Sequence, residues 1–134
     1  MPLIKHINYL IQASALADAE NRRLEEEHGI DTSLGINPFD PKVVKWASEP
    51  RHEKEKLENY LNQLGYDTLL KLETLMYFGR DDGDFQETLK HLSDLKESKH
   101  DIVRTMVEKR AAYPVYFQNA LYALKEQSVD IDSI

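Results

Sequence analysis

The chain of 134 residues has no cysteine, a single tryptophan, only five glycines and no long apolar run. Each shortage excludes something. Without cysteine there can be no disulfide, no thiol nucleophile and no thiolate metal ligand, a composition at home in a reducing cytoplasm. No segment approaches the roughly 18 consecutive apolar residues of a membrane helix. Met1–Ile11 is too interrupted for a signal-peptide core, so a cytoplasmic location is expected. The glycines are scattered singly, which rules out a glycine-rich phosphate loop. No G-x-S-x-G occurs, and nucleophilic catalysis has no basis in the sequence. Strand signals are also missing, because no stretch alternates apolar and polar residues with β-branched enrichment.

Basic charge is scarce as well. Seventeen Lys and Arg stand against 24 Asp and Glu, a formal net charge of −7 that opposes nucleic-acid or anionic-membrane binding. Lys90–Arg110 is the exception, at about +2 against about −9 for the remainder. It reads as a mildly basic helical face, with a phosphate or acidic-partner contact as the alternative.

Helical spacing is what remains. Leu3, Ile4, Ile7, Leu10 and Ile11 mark one stripe, which continues through small residues (Ala13, Ser14, Ala17) to Asp18 and stops at Gly29. Asp18 is either solvated at the edge of the core or a half-buried carboxylate that needs a cation. Ile30–Lys42 is a long loop, and Asp40-Pro41 starts a short helix expected to offer some of Val43, Val44 and Trp46 to the core. Further stripes are Leu57/Tyr60/Leu61/Leu64, closed by Gly65, then Leu69/Leu72/Leu75/Met76, capped by Asp67. Phe85/Leu89/Leu92, extending towards Leu95, and Ile102/Val103/Met106/Val107 come next, and Pro114 opens the last helix with Phe117/Leu121/Leu124. The pattern predicts an all-α protein, a compact bundle-like packing of five to seven helices. It forms a single domain over 1–126 with a frayed tail at 127–134. The alanines of 13–19 and the tyrosines of the last helix are candidate faces for a weak homodimer.

Two motifs invite metal chemistry. Glu-x-x-His occurs as Glu25…His28 and Glu97…His100, the pairing used in di-iron bundles, but both fall near helix ends in charged surroundings. His52–Lys56 imitates a zinc-protease start with lysine in place of the second histidine. No metal and no cofactor are expected.

The densest stretch is Gly79-Arg80-Asp81-Asp82-Gly83-Asp84. Glycine can end a helix, Asp84 can cap the next, and Glu87 lies where a capping box wants it. Three aspartates without alternating oxygen ligands or a glutamate at position twelve do not make a calcium loop. Arg80 exceeds what a turn requires. It fastens the turn to a carboxylate inside the fold, with Asp18 as one candidate, or it joins Asp81 and Asp82 in a ligand or partner site.

Together "INYLIQASALA", "NPFD", "LENYLNQLGYDTLLKLETLMYFGRDDGD" and "YPVYFQNALYAL" resemble a bacterial domain-of-unknown-function family of small helical proteins. Its pattern has an Asn-Pro-x-Asp loop and a Leu-Met-aromatic-x-Gly-Arg motif, matched here by Leu75–Arg80, with Tyr77 for the usual tryptophan and Asp81-Asp82 for Gly-Asp. The resemblance implies an all-α fold and a bacterial origin, and it carries no activity. The expected function is binding of another macromolecule, a protein partner with a basic one suited to the acidic chain, as inhibitors, immunity proteins and antitoxins do. The alternative is a small-ligand sensor or an enzyme with a cleft at Gly79–Asp84. A convergent polar pocket at Arg80 would favour that alternative.

Overall fold

The computed structural model describes residues 2–134, and seven α-helices with three short 3-10 turns account for its regular structure. Helix α1 (Leu3–His28) ends where Gly29 takes a left-handed conformation (φ 63°), its N–H bonded back to the last carbonyls. Ile7, Leu10, Ala13, Ala17 and Leu24 form its buried face. The small residues Ser14 and Ala17 lie beside the turn at Arg110–Ala112 within the same chain. Asp18 stays on the surface and pairs with Arg22 at 2.9 Å, the solvated of its two readings.

Helix α2 (Pro41–Ser48) starts as expected, with the Asp40 carboxylate accepting from the Lys42 N–H. It does not feed the core, because none of its residues is buried. Its C-terminal end is held instead by Arg51, which donates to the carbonyls of Trp46 (2.9 Å) and Glu49 (2.6 Å) and lies over the indole ring.

Helix α3 (His52–Asn62) buries Leu57 and Leu61, and its first turn is completed from outside, the Glu53 N–H donating to the Glu20 carboxylate of α1 at 3.1 Å. Gly65 does not close α3. It precedes helix α4 (Tyr66–Asp81) as its N-cap, and Asp67 lies in the first turn, where its charge complements the helix dipole.

Helix α4 is the axis of the fold. Leu69, Leu72, Leu75, Met76 and Phe78 are all fully buried, and α7, α5 and α6 surround it. Helices α5 (Phe85–Leu95), α6 (Lys99–Glu108) and α7 (Tyr113–Glu126) follow. Ser98 caps α6 through the Asp101 N–H, and Ile102, Val103, Met106 and Val107 are its buried face. Tyr113, wholly buried at the start of α7, donates its hydroxyl to the Met106 carbonyl at 2.5 Å, which satisfies it without water. The tail at 127–134 is placed against the fold. Val129 N–H bonds to the Leu124 carbonyl at 2.9 Å, and Ile131 and Ile134 pack on the core beside α1.

The tightest contact joins α4 to α7 at Gly79. This glycine lies within the last turn of α4 and does not end it. A Cβ built there would overlap the Tyr116 carbonyl oxygen and lie 2.7 Å from its carbon, with the Ala120 nitrogen at 3.0 Å. The glycine is required because two helix backbones touch. Gly79→Ala is therefore expected to destabilise by about 3 kcal/mol or more, at the top of the range for overpacking. In an exposed helix the same change would stabilise. Denaturant unfolding decides, and a variant as stable as the parent would show that α7 yields at this point.

Candidate functional site

The structure relocates the turn. The α4 helix runs through Gly79 and Arg80, and the reversal falls on Asp82 (φ 61°) and Gly83 (φ 103°). Asp82 is thus a backbone element: a non-glycine residue held in a conformation that favours glycine. Asp84 acts as the expected N-cap, its carboxylate accepting from the Glu87 N–H at 2.9 Å. The turn is fastened from α7, where Asn119 donates to the Gly79 carbonyl (3.3 Å) and Gln127 to the Gly83 carbonyl (3.4 Å).

Arg80 has no buried partner. Its Nε and terminal nitrogen each reach a different oxygen of the neighbouring Asp81 at 2.6 Å, a bidentate fork at the surface. Asp18 belongs to Arg22. Arg80 also lies 4.7 Å from the Tyr77 ring centre, with Lys109 Nζ at 5.9 Å from the same ring. The pairing with Asp81 holds that carboxyl below the usual range and raises the guanidinium above its own.

This fork forms the rim of a cavity of about 480 Å³. Tyr77, Arg80 and Asp81 from α4 line one side, and Glu87, Thr88, His91, Leu92 and Leu95 from α5 the other, with Glu97 at the α5–α6 link closing an end. Of the three residues singled out from sequence, Arg80 and Asp81 line it and Asp82 does not. The Thr88 hydroxyl is already committed to the Asp84 carbonyl at 3.0 Å. The Glu97 carbonyl accepts from the Tyr66 hydroxyl at 3.0 Å, which fixes the link where it approaches α4.

One turn before Tyr77, on the same face of α4, stands Glu73. Its side chain is 0 % exposed, and neither carboxylate oxygen has a hydrogen-bond partner. Burial first and the Glu97 charge second push its carboxyl up to about 7 from an ordinary 4.5. Burial and then the Glu73 charge lead the causes that raise the Tyr77 hydroxyl. Glu73, Tyr77 and Glu97 are therefore linked electrostatically, and of the three Tyr77 and Glu97 line the cavity while Glu73 does not. Sequence reasoning missed Glu73 because it falls between Leu72 and Leu75 in a leucine-rich helix. The available signal was a lone carboxylate one turn from Tyr77 in the most apolar stretch of the chain.

Neither Glu-x-x-His pair forms a cluster. His28 faces Glu49 at 3.3 Å, while Glu97 contributes to the cavity without His100. Among the described residues no group of three His, Asp or Glu side chains is placed to hold a metal. Comparison of the chain with protein-family models, curated proteins and solved structures found no match.

The Glu73 carboxyl couples folding to pH. Below about pH 4.5 it is protonated in the folded and unfolded chain alike and costs nothing. As pH rises towards 7 the unfolded chain ionises first, so stability falls, and it levels off above the folded value. The difference of roughly two and a half pKa steps corresponds to about 3 kcal/mol. Glu73→Gln should remove this decline, so that its stability relative to the parent rises by that amount from pH 4 to pH 8. Parallel denaturation curves that keep a constant gap across this range would contradict the assignment.

Proposed function

We propose that the chain is a small-ligand binding module whose site is the cavity between α4 and α5. A single observation supports this above others: Tyr77 and Glu97, which line an open cavity with Glu87 and His91, are the electrostatic neighbours of a fully buried, unpartnered carboxylate, Glu73, one helical turn before Tyr77. An unsatisfied buried polar group costs stability, and function is the common reason for its retention. The volume falls within the usual range for small-molecule sites, and the lining combines apolar walls with a few convergent polar groups, as such sites do. Binding is favoured over catalysis, since the aliphatic hydroxyl of the lining, that of Thr88, is engaged and the chain offers no thiol. A cytosolic setting suits a cysteine-free chain and belongs to the same proposal, as does kinship with the bacterial family that Leu75–Arg80 resembles.

A second reading, docking of a protein partner, draws on a different region. Leu34 and Phe39 are 84 % and 88 % exposed, and Ile36 and Val44 are exposed beside them in the loop and on α2. Large apolar side chains gathered on one short segment suit a contact surface. The net charge of −7 would favour a basic partner. A homodimer through the same segment is one form of this reading.

The two readings separate in one experiment. Leu95→Trp at the cavity mouth should abolish heat-stabilisation by any small molecule found in a ligand screen, while Leu34→Ser with Phe39→Ser should leave it intact. Arg80→Ala should barely move the unfolding midpoint, because its ion pair is exposed, yet alter ligand affinity. A screen whose hits survive Leu95→Trp would count against the cavity. Hits abolished by the loop variant would move the site to residues 34–44.

A further inference from the structure

Glu73 poses a problem that the cavity does not solve: its carboxylate is fully buried, has no hydrogen-bond partner and does not line that space. Once ionised, it must gain either a cation or water. The cations beside Tyr77 do not supply the first. Arg80 is forked to Asp81 at 2.6 Å, and Lys109 stands off the Tyr77 ring at 5.9 Å. Water has to come to Glu73, and part of the structure has to move to admit it.

The helices around α4 differ in how firmly they are attached. Helices α6 and α7 each bury four side chains, whereas α5 buries only Phe85 and Leu92. Among the described residues α4 is the one element on which α5 packs broadly. The N-terminal end of α5 is fixed, with Phe85 against Phe78 and the preceding turn held by Asn119 and Gln127. Its C-terminal end is weaker. Leu95 is exposed, Lys96 is held left-handed (φ 50°), and the long-range hydrogen bond that ties down the link to α6 is that from the Tyr66 hydroxyl to the Glu97 carbonyl. Glu73 comes four residues before Tyr77, so it shares the side of α4 that Tyr77 turns to this weaker end. Glu97, in the link, is the charge that opposes its ionisation.

We propose that residues 89–98 form a flap over Glu73, closed while that carboxyl is protonated and swung out about Asp82-Gly83 when it ionises. Ionisation sets Glu73 against Glu97, and the flap carries Glu97 away as water reaches the buried carboxylate. Other titratable groups face this region without pairing with Glu73. Glu87 and His91 come from α5, Tyr77 and Arg80 from α4 itself, and Lys109 from beyond the Tyr77 ring. Helices α6 and α7 bury apolar faces, and the Tyr113 hydroxyl between them is committed to the Met106 carbonyl. On α1 the buried His6 is bonded to the Tyr60 hydroxyl. His91 is exposed and rides on the flap, so its titration requires no opening. The inference does not depend on the cavity's holding a ligand.

Amide hydrogen exchange of the full chain from pH 5 to pH 8, corrected for the intrinsic pH dependence of exchange, tests the flap. The amides of 89–96 should exchange through an opening populated at least about tenfold more than the global unfolding that α7 reports. Their protection should fall about fiftyfold over this range, because the open flap returns Glu73 to ordinary carboxylate ionisation. In Glu73→Gln that protection should no longer depend on pH. Glu97→Gln, which removes the opposing charge, should shrink the fall without abolishing it, and it keeps the test usable should Glu73→Gln alter folding. Amides of 89–96 that exchange only in step with α7 overturn the flap, as does a partial opening that ignores pH in the parent. A fall that survives Glu73→Gln also overturns it and passes the titration to another group, His91 first.

Discussion

The contact between Gly79 and the Tyr116 carbonyl sets the geometry of everything near the site. Two helix backbones can meet this closely only where one presents no side chain, and Ala120, fully buried one turn further along α7, keeps the crossing tight. With α7 pressed against the last turn of α4, the chain cannot reverse at Gly79. It continues to Asp81 and turns at Asp82-Gly83, where Asn119 and Gln127 of α7 hold the backbone. Asp84 then caps α5 at once, so α5 runs back beside α4 at a separation set by Phe78 against Phe85, edge to face at 5.9 Å. The cavity lies along the same two helices.

A helix packed on several sides has little room for a charge, and Glu73 is the one ionisable residue that α4 buries completely. The polar residue beside it shows the contrast. Thr74 is equally buried but returns its hydroxyl to the Leu70 carbonyl at 2.6 Å, a local solution open to a short side chain. The longer glutamate makes no such bond. Its position near Glu97 makes matters worse, since a like charge adds to the cost of ionisation. Leucine at this place would extend the apolar stripe on either side of it. Local rules are broken in this way mostly where function compensates.

Much of the architecture was legible because it follows from local chemistry. The stripes of α3, α4 and α6, the stop at Gly29 and the caps at Asp40 and Asp84 all depend on residues close in sequence. What escaped depends on partners far along the chain. Gly79 carries a helix-ending residue type, and only the backbone of Tyr116 reveals it as a packing glycine. Arg80 and Asp81, grouped from the sequence, both line the cavity, but the arginine pairs with this adjacent carboxylate and with no buried one. Val43 and Trp46 have core-like composition, yet α2 packs against α1 and buries none of its residues. Ile131 and Ile134 look like a loose end until the side of α1 supplies a surface. Glu73 was hidden by the apolar period around it: a pattern read for leucines passes over the position that interrupts them.

The two regions that break ordinary rules are placed differently in the energetics. Leu34 and Phe39 stand in a loop that contributes nothing buried, so their exposure asks nothing of the core. They could be exchanged with little effect on folding. Glu73 lies in the helix on which α5, α6 and α7 all pack, where a cost of about 3 kcal/mol above neutral pH is a large part of a small domain's stability. A surface feature can persist without a use. A buried charge at the centre of the fold is harder to keep without one, because many substitutions would relieve it.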